Sequence, residues 1–172
     1  MKVFVTGAES TGKSALTIQL ADHYGVVYIP EFARDYVAAL DRPYNMEDLG
    51  IIAKKQIAQI NKNKGKKLIF FDTGLVITYV WYEYKYGHVP VWLSQALKEM
   101  GEGQYLVCEP DLPWEADPLR ENPHIRDELH SRYIELISSL GFEWKAVNGS
   151  GNKRLARAVG IVDGWLSVSG IK

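Results

Sequence analysis

Three features of the chain predict an α/β domain built on a parallel sheet. Short apolar runs bounded by Gly and Pro alternate with helical apolar stripes from one end to the other. The stretch Gly7-Ala8-Glu9-Ser10-Thr11-Gly12-Lys13-Ser14 fits the pattern G-x-x-x-x-G-K-S/T and lies between the first run and the first stripe. A length of 172 residues with 47% hydrophobic side chains suits a single domain, residues 1–172, with a full core.

Composition narrows the class. A net charge of −1 carries no basic excess, which argues against a general nucleic-acid partner. The single cysteine, Cys108, excludes an internal disulfide and, in the run Tyr105-Leu106-Val107-Cys108, reads as a small buried hydrophobe. There is no signal-peptide pattern before the glycine loop, and no apolar run approaches the ~20 residues of a membrane span. The expectation is a cytoplasmic protein with no membrane partner.

The elements follow in order. Lys2-Val3-Phe4-Val5-Thr6 reads as a buried strand, and Ala15 to Ala21 as the apolar side of a helix. Val26-Val27-Tyr28-Ile29 is a second buried strand, opened by Gly25 and stopped by Pro30. Leu49, Ile52, Ala53, Ile57 and Ile60 mark a packing helix over about 46–61. The basic turn Asn61 to Lys67 precedes a strand, so it falls on the face opposite any site and reads as solvated surface. Strand three is Lys67 to Asp72, strand four Gln104 to Cys108 and strand five Phe142 to Val147. A short helix over 91–100 ends at Gly101. Asn122-Pro123 opens another, with Asn as cap and a stripe of Ile125, Leu129, Tyr133, Leu136 and Leu140. Leu155, Val159, Val162 and Leu166 give the last helix its stripe.

Chemistry concentrates in the glycine loop. Gly7, Ala8, Glu9, Ser10, Thr11 and Gly12 let the backbone fold around an anion with its N–H groups pointing inward. The helix starting near Lys13 adds its positive end. Lys13 is expected to reach the β- and γ-phosphates of a nucleoside triphosphate, and the Ser14 hydroxyl to hold Mg²⁺. Asn61-Lys62-Asn63-Lys64 and Asn152-Lys153-Arg154-Leu155 both lack the Asp of a guanine-reading N-K-x-D motif, so ATP is the expected nucleotide.

The acceptor side is expected beyond the carboxyl ends of the strands. Glu31, Arg34 and Asp35 lie just past strand two. Asp72, at the tip of strand three, occupies a Walker-B-like position that can support magnesium or orient an acceptor. The crowd of Tyr79, Trp81, Tyr82, Tyr84 and Tyr86 reads as core, some of it available to wall a pocket for a planar base. The segment 110–127, with Pro110, Pro113, Trp114, Arg120 and Arg126, reads as an exposed loop that would act as a lid and bring arginines to the transferring phosphoryl group. Arg154, beyond the last strand, is a candidate for stacking on adenine.

The glycine loop, the run Glu31-Phe32-Ala33-Arg34-Asp35-Tyr36, the strand ending in Asp72-Thr73, and Pro110-Asp111-Leu112-Pro113-Trp114 continuing to Asp117 and Arg120 together resemble the ribosylnicotinamide kinase domains of the NadR family. The resemblance covers nearly the whole chain. It implies a P-loop three-layer sandwich, a five-stranded parallel sheet in the order 2-3-1-4-5 with helices on both faces. It also implies ATP-dependent phosphorylation of nicotinamide riboside, with Trp114 added to the acceptor-side candidates. The strand before the loop starts at Lys2, which leaves no place ahead of it for that family's adenylyltransferase domain, so a stand-alone kinase is expected.

The expected catalytic set is Lys13, Glu31, Asp72 and Arg120. Arg126 assists the nucleotide, and Glu31 or Asp72 serves as base for the sugar 5′-hydroxyl; sequence does not order those two. A kinase for another nucleoside, or a P-loop switch binding ATP with no small-molecule acceptor, are the alternatives. An acid at the tip of strand two and an Arg-bearing lid favour the kinase, because a switch needs no base for an alcohol.

Overall fold

The computed structural model describes residues 1–101, 103–117, 120 and 122–171. Five strands form one parallel sheet: β1 (Lys2–Gly7), β2 (Tyr28–Ile29), β3 (Ile69–Asp72), β4 (Gln104–Cys108) and β5 (Glu143–Val147). Their spatial order is β2-β3-β1-β4-β5, as the resemblance implies. The central registers pair Val5 with Asp72 and Gly7 with Cys108. The glycine loop therefore leaves the sheet beside the tips of both neighbours.

Period-two alternation sorts the strand side chains to two faces. Val3, Val5, Phe70, Leu106, Cys108 and Val147 pack under α1 (Lys13–Tyr24) and α7 (Gly151–Val168). Phe4, Ile69, Phe71, Tyr105 and Val107 pack under α3 (Met46–Lys62), α4 (Leu75–Tyr86), α5 (Val91–Glu99) and α6 (Arg126–Ser139). The short α2 (Phe32–Ala38) joins β2 to a loop over 39–45. None of the described helices is long and apolar enough to cross a membrane.

Phe4 is the centre of the second layer. Its ring stacks on Phe71 at 4.8 Å and Tyr105 at 5.1 Å. Its edges meet two glycines: a Cβ on Gly74 or on Gly103 would sit 2.8 Å from the ring. Real Cβ contacts do not come that close, so a large ring at position 4 requires both glycines.

Four sequence expectations change. Strand two is two residues long, not four, and Val27 is 57% exposed; β2 is an edge strand that pairs only with β3. The Asn122 side chain caps nothing, and Pro123–Ile125 forms a 3₁₀ turn ahead of α6. The buried residues of α6 are Leu129, Tyr133 and Ile137, with Leu136 and Leu140 at the edge. On α7 the buried face is Arg154, Ala158, Val162 and Trp165, turned about one residue from the expected stripe. The Trp165 indole needs the core and bonds Glu143 at 2.5 Å. Arg154 can be buried because both of its terminal nitrogens are partnered, as shown below. Cys108 is buried as expected.

Candidate active site

Gly7 has φ 150°, and a Cβ there would meet the Cys108 carbonyl at 2.7 Å. Only glycine lets the chain leave β1 this close to β4. Gly12, at φ 72°, turns the loop into α1, whose first turn has no side-chain cap. Uncapped N–H groups at a helix start suit an anion. Ala8 and Thr11 are buried under the loop, with Thr11 Oγ1 donating to the Ala8 carbonyl at 2.8 Å. Lys13 Nζ donates to the same carbonyl at 2.8 Å.

From this loop a cavity of about 490 Å³ runs outward between the helices, a volume that suits a small ligand. Gly7, Glu9, Ser10, Thr11, Gly12, Lys13, Ser14 and Arg120 line one end; Glu31, Arg34 and Thr73 stand partway. The far end is mostly apolar and aromatic: Tyr44, Leu49, Ile52, Ile77, Trp81 and Tyr133, with Gln56 and Thr78 as its buried polar pair. Thr78 Oγ1 donates to Gln56 Oε1 at 2.8 Å. That leaves the Gln56 amide N–H groups and a Thr78 lone pair for a ligand.

Glu31 is the N-cap residue of α2, which places its carboxyl just past β2. Burial pushes that carboxyl above the usual range; Lys13 draws it back, and the neighbouring Asp72 pushes it further up. Asp72 is itself buried, and burial raises it too, offset by the Ser14 hydroxyl and the Lys13 ammonium. Asp72 Oδ1 is sealed from solvent and has no protein partner. Asp72 does not line the cavity; it sits behind the loop beside Ser14, whereas Glu31 faces the cavity.

The 110–127 segment lies against the glycine loop, though residues 118, 119 and 121 fall outside the described residues. Glu115 N donates to Ser10 Oγ at 3.2 Å, and Arg120 Nη1 reaches Ser10 Oγ and the Glu115 carbonyl at 2.9 Å each. Arg126 Nη2 donates to the Leu112 carbonyl at 2.9 Å and the Ser10 carbonyl at 3.2 Å. Asn122 N donates to Glu9 Oε2 at 3.1 Å. Arg34 forms an ion pair with Asp117, joining α2 to the same segment.

Besides Asp72, the expected site residues Arg154, Asp35, Trp114 and Arg126 do not line the cavity. Arg154 cannot stack on a base, because it is 4% exposed and spends its guanidinium on the protein. Nη1 donates to Asp111 Oδ1 at 2.8 Å and the Gly149 carbonyl at 2.7 Å, and Nη2 to the Thr11 carbonyl at 2.9 Å. It braces the underside of the glycine loop instead. Asp35 is exposed and off the cavity wall. Trp114 is absent from the wall although Pro113 and Glu115 line it; the Ser10 bonds to Glu115 fix which side of this extended stretch faces inward. Arg126, likewise off the wall, acts on the loop and lid from behind.

Sequence reasoning missed Tyr44, Gln56 and Thr78, and placed Tyr133 only as helix packing. Gln56 carried a signal: it is a polar residue in the apolar row Leu49, Ile52, Gln56, Ile60. Tyr44 carried none, since it reaches the cavity from a loop.

Known proteins extend this picture. Over 169 residues the chain is 25% identical to the trifunctional NAD biosynthesis/regulator protein NadR of Escherichia coli (strain K12), covering 93% of this chain and 41% of that protein. The Salmonella typhimurium NadR matches at 24% over 98% of this chain and 43% of its own length. The chain thus spans less than half the length of the curated relatives it matches. Among solved structures, a NadR protein in complex with NR superposes with a TM-score of 0.72 at 20% identity, over 99% of this chain and 52% of that one. Deoxyadenosine kinase from M. mycoides gives 0.64 at 13%, over 95% and 100%. These structures show the fold shared with P-loop nucleoside kinases. The family model described as an AAA domain matches residues 2–154, and the chain belongs to that family.

Proposed function

We propose that the protein is an ATP- and Mg²⁺-dependent kinase that phosphorylates the 5′-hydroxyl of a riboside, nicotinamide riboside being the substrate that fits best. One observation carries this reading: a single cavity joins the phosphate-binding loop, past the half-buried Glu31, to an aromatic end with a polar pair. A nucleotide switch needs neither that second compartment nor a carboxylate between the two.

Magnesium fits the residues present. A hard cation takes oxygen ligands and keeps several waters, and the buried Asp72 carboxylate has an oxygen with no protein partner beside the Ser14 hydroxyl. Ser14 and Asp72 would hold the ion, directly or through water, and it would supply charge neutralisation at the phosphates. The chain's own groups do the rest. The loop amides and Lys13 bind the triphosphate, and Arg120 meets the charge on the transferring group. Glu31 orients the acceptor hydroxyl and takes its proton as the oxygen bonds to the γ-phosphorus and the bond to the ADP oxygen breaks. Its placement on the cavity, with Asp72 set behind, supports Glu31 as base and Asp72 as the metal-side carboxylate.

The far end supports an amide-bearing ring. Gln56 offers a donor and Thr78 an acceptor, the complement of a carboxamide, while Tyr44, Trp81 and Tyr133 offer ring faces. The likeness to NadR, one structure of which holds NR, supports the same substrate. Cytosine presents a similar edge, so a pyrimidine nucleoside is the second reading.

The test is coupled ADP release with Mg·ATP, with and without nicotinamide riboside, plus mass detection of the mononucleotide. Riboside-dependent ADP with matching mononucleotide is the expected result. ATP binding without stimulation by nicotinamide riboside or cytidine would overturn the reading.

A further inference from the structure

We propose that the Thr73 hydroxyl binds a hydroxyl of the acceptor's sugar, and that the backbone is held in an unfavourable conformation to put it there. The assignment rests on the riboside reading above. Thr73 has φ 67°, in the left-handed region where a β-branched residue is an outlier. Glycine or asparagine would make the same turn at lower cost. The turn is well anchored: Thr73 N donates to the Val5 carbonyl at 3.1 Å, continuing the β1–β3 ladder.

The hydroxyl is available to a ligand. Thr73 is 4% exposed as a residue and lines the cavity, and among the described residues no side-chain hydrogen bond holds its Oγ1, which is not sealed from the cavity. The hydroxyls of Thr11 and Thr78, equally buried, are both bonded. A hydroxyl open to the cavity and unbonded to the protein, on a strained β-branched residue, points to a partner that arrives with the ligand.

The position says what kind of partner. Thr73 lines the cavity one residue after Asp72 and on the stretch shared with Glu31, between the phosphate end and the aromatic end. Phosphate oxygens already have Lys13, Arg120 and the loop amides. A neutral hydroxyl, able both to donate and to accept, suits another neutral hydroxyl. In a riboside the sugar is the part that lies between the reacting group and the base.

The test measures calorimetric binding of nicotinamide riboside and of cytidine to the Mg·AMP-PNP complex, for wild type, Thr73→Ser, Thr73→Val and Thr73→Gly. Thermal unfolding of each protein without ligand accompanies it. Thr73→Ser should bind within about threefold of wild type, whereas Thr73→Val and Thr73→Gly should bind about 10- to 100-fold more weakly. Thr73→Gly should also raise Tm by about 2–5 °C, since it relieves the strain. Thr73→Val binding as tightly as wild type would overturn the assignment while leaving the riboside reading intact; an unchanged or lower Tm for Thr73→Gly would overturn the strain half. Wild type that takes up nucleotide but neither riboside would instead overturn the riboside reading, and the assignment with it.

Discussion

The two ends of the cavity are built by different means. The phosphate end comes mainly from the consecutive residues Gly7 to Ser14, joined by Arg120, and its groups are mainly backbone N–H with one lysine and short hydroxyl side chains. The far end is assembled from a loop and three helices, α3, α4 and α6, and its groups are side chains brought together over large sequence separations. The first end is a local property of the chain, tuned for charge. The second is a tertiary property, tuned for shape and for one polar edge. Changes at the first should therefore act on rate, and changes at the second on choice of substrate.

The largest effect is expected at the phosphate end. Lys13→Ala should lower turnover about a hundredfold or more, read as ADP release at saturating acceptor. Near-normal turnover would break the assignment of that end.

Glu31→Gln, at the junction of the two ends, should cost on the order of a hundredfold in kcat. It should also remove the acid limb of the pH–rate profile, which in the wild type lies above the ordinary carboxylate range because burial raises Glu31. The same raised pKa fixes a stability sign. The folded state is favoured while Glu31 is protonated, and that contribution is lost as pH rises through the folded-state pKa. Glu31→Gln should therefore raise Tm at pH 7.5 and give a smaller gain near pH 5, a comparison that thermal scans at the two pH values decide.

Arg154→Met tests the brace under the loop. Removing the buried guanidinium takes the donor from Asp111 Oδ1 and from the Gly149 and Thr11 carbonyls. The expected loss is about 2–4 kcal/mol in denaturant unfolding, with weaker nucleotide binding and no change in nucleotide selectivity. A change in ATP-over-GTP preference would instead restore a direct role in holding the base.

At the far end, Gln56→Leu should cost about tenfold in kcat/KM for the amide-bearing riboside and much less for its carboxylic acid counterpart, narrowing the ratio between them. Equal losses for both would show that Gln56 does not read the ring substituent. Asp35→Asn and Trp114→Ala should stay within about twofold of wild type, because neither lines the cavity.

The same contrast explains what could be read from the chain before folding it. The glycine loop, the alternation of strands and helices and the positions of Glu31 and Asp72 were legible because each is a short-range signal: a spacing, a strand tip, a periodicity; the sheet order came from the family resemblance. Arg154 was misplaced because a polar residue near a loop reads as exposed, and its burial depends on Asp111, Thr11 and Gly149, partners distant in sequence or on another element. Trp114 and Asp35 were misassigned because the sequence shows that residues lie near a strand tip but not which way each one faces. Tyr44 was missed because its place on the wall depends on the 39–45 loop, held where Arg42 and Tyr36 both bond the buried Asp48.

The clamp around Phe4 has a consequence for the history of the chain. One ring fills the space against two glycines that are 29 positions apart, one of them at the start of α4 just after Asp72 and Thr73. Neither glycine can gain a side chain while the ring is there. A lineage that replaced Phe4 with a smaller aliphatic residue would free both positions at once, and one that acquired alanine at 74 or 103 would be under selection to shrink position 4. Positions 4, 74 and 103 should therefore vary as a set among descendants of this sequence, although only one of the three, Gly74, next to the Asp72–Thr73 turn, lies beside the chemistry.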